Sequence, residues 1–250
     1  MKNILREKLK KGQAVIGTFI SLGHPDVTEL LSRLGFDWLL IDGEHSPIGL
    51  ETMQVMMQAM NGSNCTPIVR PQWNDMVIIK RILDIGAHGV LVPWVNTKEE
   101  AEYAVSACKY PPKGLRGYGP RRAGLFDPDY LQTANDEILV IVQIETRKAV
   151  SNVDDILSVE GIDACFIGPY DLAMSFGLGS PKWDDPEYAG AFDRVLEAAN
   201  KWGKPAGMYA TQGNIQWAVE KGFILNTVDD ADSFLRSGAT LALNKARNLS

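Results

Sequence analysis

Acidic and imidazole side chains directly follow an apolar run near the amino terminus. Residues 36–41 are mostly apolar and lead into Asp42, Glu44 and His45. Removing two carboxylates and an imidazole from water at the end of a buried strand is costly unless the groups have a use. The segment therefore favours a catalytic pocket. The alternative interpretation is a polar turn that leaves His45 exposed.

Other apolar runs also end in polar side chains of complementary chemistry. Arg70 ends one run, and Asp171 follows another. Gln143 and Glu145 lie two residues apart in a third run, which places them on one face of a strand. Taken singly, each has a structural alternative, such as a local ion pair for Arg70 or a helix cap for Glu145 or Asp171. Taken together, they indicate a site.

The chemistry that suits this set is metal-assisted enolisation of a 2-oxo acid. Glu145 and Asp171 are oxygen ligands of the kind that Mg²⁺ takes together with waters and substrate oxygens, and Mn²⁺ or Co²⁺ suits them too. His45 can act as acid or base because its pKa lies near neutrality. Arg70 offers a fixed positive fork for a carboxylate or enolate oxygen. No lysine ends a strand in a comparable setting, which argues against a Schiff-base aldolase.

The elements that would position these residues alternate between strand and helix along the chain. Many of the apolar runs do not alternate with polar residues, which is typical of strands buried on both faces of a parallel sheet. The predicted strands are 14–20, 36–41, 67–70, 89–92, 138–144, 163–167, 205–209 and 223–228. The predicted helices are 25–34, 49–61, 76–85, 98–109, 148–159, 186–202, 214–221 and 232–246.

Strand and helix repeated eight times in 250 residues predict an α/β fold, the (β/α)8 barrel. The C-terminal strand ends carry the chemistry of such barrels, and the polar residues collect there. A doubly wound open sheet is the alternative, but no G-x-G-x-x-G turn follows the first strand. The longer connections 110–135 and 175–185 are expected to be functional loops and not linkers. Residues 1–250 are therefore expected to form a single domain.

Charge and cysteine usage argue against several classes of function. The net charge is −6, and the only dense basic cluster is Arg121-Arg122 with Arg116 nearby, so no nucleic-acid partner is expected. The start is Lys-rich without an apolar segment, and no apolar run approaches membrane-spanning length, so neither a secretory signal nor a membrane partner is expected. Three widely spaced cysteines fit a reducing cytoplasm.

Several of these segments resemble the HpcH/HpaI aldolase family, the metal-dependent class II pyruvate aldolases. The resemblance runs from Gly17 to about Leu243. The matching motifs are Asp42-Gly43-Glu44-His45, Arg70-Pro71-Gln72-Trp73-Asn74-Asp75, Gly89-Val90-Leu91-Val92-Pro93, Tyr110-Pro111-Pro112 with Arg116-Gly117, Gln143-Ile144-Glu145-Thr146 and Gly168-Pro169-Tyr170-Asp171-Leu172.

The resemblance implies a carbon–carbon lyase that reversibly cleaves 4-hydroxy-2-oxo acids to pyruvate and an aldehyde through a metal-bound enolate. The substrate would be 4-hydroxy-2-oxoheptanedioate-like or derived from a sugar acid. By the same resemblance, His45 is the base, acting through a metal-bound water, and Arg70 binds the keto oxygen and steadies the enolate. Glu145 and Asp171 are the ligands of a divalent metal, Mg²⁺, Mn²⁺ or Co²⁺.

The resemblance also implies roles around these groups. Asp42 and Asp84 are expected to orient His45 and nearby waters, with Asp84 acting near a subunit interface. Gln143 and the pair Gly168-Pro169 are expected to line the substrate site. Family members are commonly homo-hexamers, built as trimers of dimers that exchange the last helix.

A few positions depart from the family pattern and leave the aldehyde open. They are Phe19, Arg121-Arg122, Tyr170 and Val228-Asp229-Asp230. Arg121 and Arg122 could attract an acidic aldehyde. Two other functions remain as alternatives: an acyl-CoA lyase of the citryl- or malyl-CoA type, and a barrel that binds a 2-oxo acid without turnover. The presence of a base argues against the second.

Overall fold

Eight parallel strands form a closed barrel in the computed structural model, which describes residues 2–125 and 127–248. Each strand pairs with the next along the chain, and the first pairs with the last. The strands are β1 Val15–Ile20, β2 Trp38–Asp42, β3 Thr66–Arg70, β4 Gly89–Val92, β5 Leu139–Ile144, β6 Ala164–Ile167, β7 Ala206–Met208 and β8 Leu225–Asp230. The predicted fold class is confirmed.

The strands are buried on both faces, as the unbroken apolar runs predict. Every residue of β2 and of β5 is buried. Large side chains such as Trp38 and Phe166 fill the barrel interior, where their rings contact each other edge to face. Gly17 of β1 makes room for this filling, because a Cβ there would overlap the Trp38 ring.

The helices return the chain from the C-terminal to the N-terminal strand ends. In the described residues they are α1 Ile4–Lys10, α2 Pro25–Ser32, α3 Leu50–Ala59, α4 Met76–Asp84, α5 Lys98–Cys108, α6 Tyr130–Glu137, α7 Arg147–Ser151, α8 Val153–Leu157, α9 Pro169–Ser175, α10 Pro186–Lys201, α11 Ile215–Lys221 and α12 Ala231–Arg247, with a 3-10 turn at Ala123–Leu125. None of these helices is both long and apolar enough to cross a bilayer.

The helix prediction over 148–159 is wrong in one respect. The segment forms two short helices that are interrupted at Asn152. The Asn152 side chain donates a hydrogen bond to the backbone carbonyl of Asn96 at 2.8 Å, which ties the break to the segment after β4. A long-range bond of this kind leaves no trace in local periodicity.

Helix α1 was not predicted, and it closes the N-terminal end of the barrel. Leu5 and Leu9 pack with the residues of the barrel interior. The Asn3 side chain caps α1 and also donates to the carbonyls of His88 and Glu137, just before β4 and β5. The amino-terminal segment is therefore part of the barrel core.

The long connection 110–135 lies at the N-terminal ends of the strands, away from the strand exits of the same chain. It begins after α5 has returned the chain to that end, and it includes the first part of α6. Arg122 donates to the carbonyl of Ile85, just before β4, and Lys109 donates to that of Ile138, just before β5. Within one chain this loop therefore does not cover the strand exits.

Candidate active site

Arg70 lies at the centre of the polar cluster at the C-terminal strand ends. The register pairs Asp42 with Arg70, the last residues of β2 and β3. The guanidinium donates from Nε to Asp42 Oδ1 at 2.8 Å and from Nη2 to Oδ2 at 2.9 Å, and Nη1 lies 3.0 Å from Glu44 Oε2. Burial alone would lower the pKa of Arg70, but the hydrogen bond and charge of Asp42 raise it above the usual value. Arg70 is therefore a permanently charged, fixed cation.

Asp42 also shapes the turn that carries His45. Its Oδ1 accepts from the backbone N–H of Glu44 at 3.0 Å and that of His45 at 3.4 Å. Although burial opposes ionisation, Arg70 holds the pKa of Asp42 below its usual value. The His45 ring stays 60% exposed, with Nε2 3.7 Å from Glu44 Oε2. Asp42 thus orients His45 through the backbone, and Glu44 is the carboxylate nearest to its ring.

Glu145 and Gln143 leave β5 on one side of the strand, and both are buried. Glu145 Oε1 accepts from the backbone N–H of Trp94 at 2.8 Å, and Oε2 accepts from the Gln143 amide. Burial raises the pKa of Glu145 to about 8; the Trp94 N–H opposes this, while the charges of Glu44 and Asp171 add to it. Helix α7 is capped by Thr146, so a helix cap is not the role of Glu145.

Gly168 and Pro169 bring the start of α9 against Glu145. A Cβ at position 168 would lie 2.6 Å from Glu145 Oε2 and 2.7 Å from Gln143 Nε2, so a larger residue would displace both side chains. Gly168 is itself the N-cap of α9, which places Asp171 within the first helical turn. The alternative in which Asp171 caps a helix is therefore wrong, and its carboxylate lines the cavity.

A cavity of about 370 Å³ collects most of the predicted site residues. Its lining includes residues from seven of the eight strand exits, all except that of β4. They are Phe19, Ser21, Asp42, His45, Arg70, Gln143, Phe166, Gly168, Pro169, Tyr170, Asp171, Tyr209, Asp230 and Ser233. Sequence reasoning missed Ser21 and Tyr209, although one follows and the other ends a predicted strand, which was the available signal. Asp230 was named only as part of a departure from the family pattern, without a role.

Asp84 and the Arg121-Arg122 pair lie apart from this cavity within one chain. Asp84 ends α4, at the N-terminal side of the barrel, where its Oδ1 accepts from Arg116 Nη2 at 2.7 Å. Burial raises the pKa of Asp84, although Arg116 opposes the shift. The backbone N–H of Arg122 donates to the Asp84 carbonyl. The idea that Arg122 attracts an aldehyde to the cavity therefore gains no support from its own chain.

The fold and the site define a barrel enzyme of the carbon–carbon lyase class. The family model for HpcH/HpaI aldolase/citrate lyase matches residues 15–241, and the chain belongs to this family. A curated relative from Salmonella dublin, "4-hydroxy-2-oxo-heptane-1,7-dioate aldolase", is 42% identical over 96% of this chain and 92% of its own length.

Two solved structures of the same family superpose on almost the whole chain. The HpcH/HpaI aldolase/citrate lyase family protein from Burkholderia cenocepacia J2315 is 33% identical, with a TM-score of 0.93 over 98% of this chain and 100% of its own. The HpcH/HpaI aldolase from Desulfitobacterium hafniense DCB-2 is 28% identical, with a TM-score of 0.92 over 100% of this chain and 98% of its own.

Proposed function

We propose that this chain is a divalent-metal-dependent aldolase that reversibly cleaves 4-hydroxy-2-oxo acids to pyruvate and an aldehyde. The observation that carries the proposal is Arg70, a buried cation fixed by Asp42 and Glu44 at the edge of a cavity that also holds further carboxylates. A fixed positive fork of this kind stabilises negative charge that develops on an oxygen during reaction. The related aldolases support the same reaction class.

The residues present fit a divalent cation held by Glu145 and Asp171. Buried Glu145 has a raised pKa, and the charges of Glu44 and Asp171 add to the rise, so a cation would offset a real electrostatic cost. No cluster of three or more His, Cys, Asp or Glu side chains with metal-binding geometry occurs in the described residues. Two carboxylates completed by waters and substrate oxygens suit Mg²⁺, Mn²⁺ or Co²⁺. When bound, the metal would act as a Lewis acid toward the 2-oxo acid.

Side chains and backbone at the strand ends bind the pyruvate half of the substrate. Arg70 binds the keto oxygen of the pyruvate half and stabilises the enolate charge. The amide of Gln143, with Gly168 and Pro169, forms the surface against which that half packs. Gln143 Oε1 is buried and has no hydrogen-bond partner within the described residues, so a substrate hydroxyl can donate to it.

Cleavage then balances without any further reactant. His45 accepts the proton of the 4-hydroxyl, the bond between C3 and C4 breaks, and the C4 carbon becomes the aldehyde. The electron pair of the broken bond passes to the pyruvate half as its enolate, whose oxygen faces Arg70. Proton return to C3 gives pyruvate, and condensation is the reverse sequence.

Replacing His45 with asparagine is expected to slow exchange of the pyruvate methyl protons by about 10²-fold, which is typical for loss of a general acid or base. The imidazole is exposed, so the fold should tolerate the change. The exchange is followed by NMR in D₂O with pyruvate and Mg²⁺ or Mn²⁺, and aldol cleavage is measured on the same samples.

A matched control is available at His24, another exposed histidine. Its ring caps α2 by accepting from the backbone N–H of Asp26 at 3.3 Å, and asparagine is a good cap as well. His24→Asn should therefore exchange pyruvate protons at the wild-type rate. Wild-type exchange by His45→Asn would overturn the role of His45, and absence of exchange in the wild-type enzyme would overturn the proposed function.

The proposed assembly is a homo-hexamer in which α12 is exchanged between subunits. Among the described residues of α12 only Ala231 is buried, and leucines 235, 241 and 243 are exposed. Exposed Leu30 of α2 and exposed Leu34, which follows α2, line an apolar cavity next to the start of α12. An interface in this region would cover apolar surface that a monomer leaves in water.

Light scattering of the full-length protein is expected to give a mass of six times the 27.5 kDa chain. An assembly of this kind would allow Asp84 of one subunit to act near the site of another, as its position at the opposite barrel end requires. A monomer at micromolar concentration would contradict the proposal. The proposed cellular setting is the cytoplasm, where the three buried, free cysteines would remain reduced.

A further inference from the structure

Four side chains that line the cavity are not used by the proposed chemistry. We call Ser21, Tyr170, Tyr209 and Asp230 the aldehyde wall. From this wall we infer that the enzyme takes a neutral, hydroxylated aldehyde in preference to an aldehyde that carries a carboxylate. The inference rests on the proposed function, because it concerns the second substrate of the same site.

Asp230 gives the aldehyde wall a negative charge that no cation of the described residues neutralises. It ends β8, where Oδ1 accepts from the backbone N–H of Ser233 at 2.7 Å and Oδ2 accepts from the Tyr209 hydroxyl at 2.8 Å. No ion pair of Asp230 occurs in the described part of the chain. Each carboxylate oxygen keeps a free lone pair after these bonds, so Asp230 can still accept from a substrate hydroxyl.

The basic groups of the cavity are committed elsewhere. Of the described residues that line it, only Arg70 and His45 are basic. Arg70 is engaged by Asp42 and Glu44, and in the proposed reaction it serves the pyruvate half. Within one chain, a substrate carboxylate at the aldehyde wall would therefore face Asp230 without a counter-charge. A hydroxyl would instead donate a charge-assisted hydrogen bond to Asp230.

Ser21 adds an unused hydrogen-bonding group to the same wall. Its Oγ is buried and has no partner among residues 2–125 and 127–248. A buried hydroxyl without a partner is costly, and a hydroxylated substrate would supply one. An aldehyde with only methylene groups would leave both Ser21 and Asp230 without a partner for their remaining bonds, so the wall discriminates against it.

Aromatic contacts hold the aldehyde wall in shape. The Tyr209 ring lies edge-on to Phe19 at 5.5 Å and to Tyr170 at 6.1 Å between centroids. These contacts fix the ring whose hydroxyl is bound to Asp230, so the carboxylate is held from two sides. The wall is therefore a preformed polar surface, which is what selectivity for hydroxyl groups requires.

The test compares three aldehydes in condensation with pyruvate: D-glyceraldehyde, succinic semialdehyde and propanal. Rates are divided by the pyruvate proton-exchange rate of the same sample, which counts working enolising sites. For the wild-type enzyme, kcat/KM for D-glyceraldehyde should exceed the values for both other aldehydes at least tenfold. Asp230→Asn should lower the preference for D-glyceraldehyde over succinic semialdehyde at least tenfold, since asparagine can still accept from Ser233 and Tyr209 but carries no charge.

Asp229→Asn is the matched control for the loss of one negative charge. Asp229 is the neighbouring residue, does not line the cavity, and has φ of 49°, a conformation that asparagine also adopts. Its aldehyde preference should equal that of the wild type. If Asp230→Asn does not fold, Ser21→Ala serves instead, with a selective loss of kcat/KM for D-glyceraldehyde and no loss for propanal.

Two results would overturn the inference. One is a wild-type enzyme that favours succinic semialdehyde or propanal. The other is an unchanged preference in Asp230→Asn relative to Asp229→Asn or, where Asp230→Asn does not fold, an equal loss for all three aldehydes in Ser21→Ala. Absence of pyruvate proton exchange in the wild-type enzyme would instead contradict the proposed function. Failure of the inference and failure of the proposed function are therefore distinguishable.

Discussion

An Arg70→Lys variant should enolise pyruvate about 10²- to 10³-fold more slowly than the wild type, the usual effect of removing one fixed donor to a developing oxyanion. Lysine keeps the positive charge, but it cannot bind both oxygens of Asp42 while also contacting Glu44. Without these contacts to Asp42 and Glu44, the positive charge is no longer held in position to bind the keto oxygen. Methyl-proton exchange of pyruvate measures the enolisation step directly.

Lysine is chosen over alanine because the ion pair between Arg70 and Asp42 is buried. Removing one partner of a buried ion pair typically destabilises a protein by about 3–5 kcal/mol, which would confuse unfolding with loss of function. Arg147→Lys is the control, since Arg147 forms an exposed ion pair with Glu187 and lies outside the cavity. It should keep wild-type exchange. Undiminished exchange by a folded Arg70→Lys variant would reduce Arg70 to a structural partner of Asp42.

The barrel was predictable because its strands are buried on both faces. Burial on both faces removes the polar alternation of an exposed sheet, so each strand appears in the sequence as an unbroken apolar run. All eight predicted strands occur, with ends that differ by at most two residues. The reactive residues followed from the same pattern, since polar groups at the ends of such runs meet at one end of a barrel.

The contacts that the sequence did not predict arise where the barrel closes and brings distant parts of the chain together. β8 adjoins β1, which brings Asp230 and Ser21 to one cavity although they are far apart along the chain. The backbone N–H that holds Glu145 belongs to Trp94, and a backbone group carries no sequence signal. Asp84 accepts from Arg116 at the N-terminal end of the barrel, opposite the cavity of its own chain. Its predicted role beside His45 therefore needs a second subunit.

Replacing Glu145 with glutamine is expected to weaken binding of Mg²⁺ and Mn²⁺ by at least about 10²-fold, because loss of an outer-shell partner alone commonly costs 10–100-fold. Aldol cleavage should fall with it. Titration calorimetry measures the affinity, and thermal unfolding gives a readout that does not require turnover. At a metal concentration of 100 times Kd the wild-type enzyme should gain about 2.7 kcal/mol, and the variant should gain almost nothing.

Without metal, the wild-type enzyme should lose its advantage in thermal stability over Glu145→Gln. Glu145 is buried, and burial together with the charges of Glu44 and Asp171 makes its ionised form costly. A neutral amide of the same size removes that cost, so after treatment with chelator Glu145→Gln should be at least as stable as the wild type. Glu51→Gln, the same change at an exposed position of α3, should alter neither quantity. A variant that binds metal as tightly as the wild type would exclude Glu145 as a ligand. The wild type should be the more stable protein with metal and not the more stable one with chelator, and this reversal is expected only if the charge of Glu145 binds the cation.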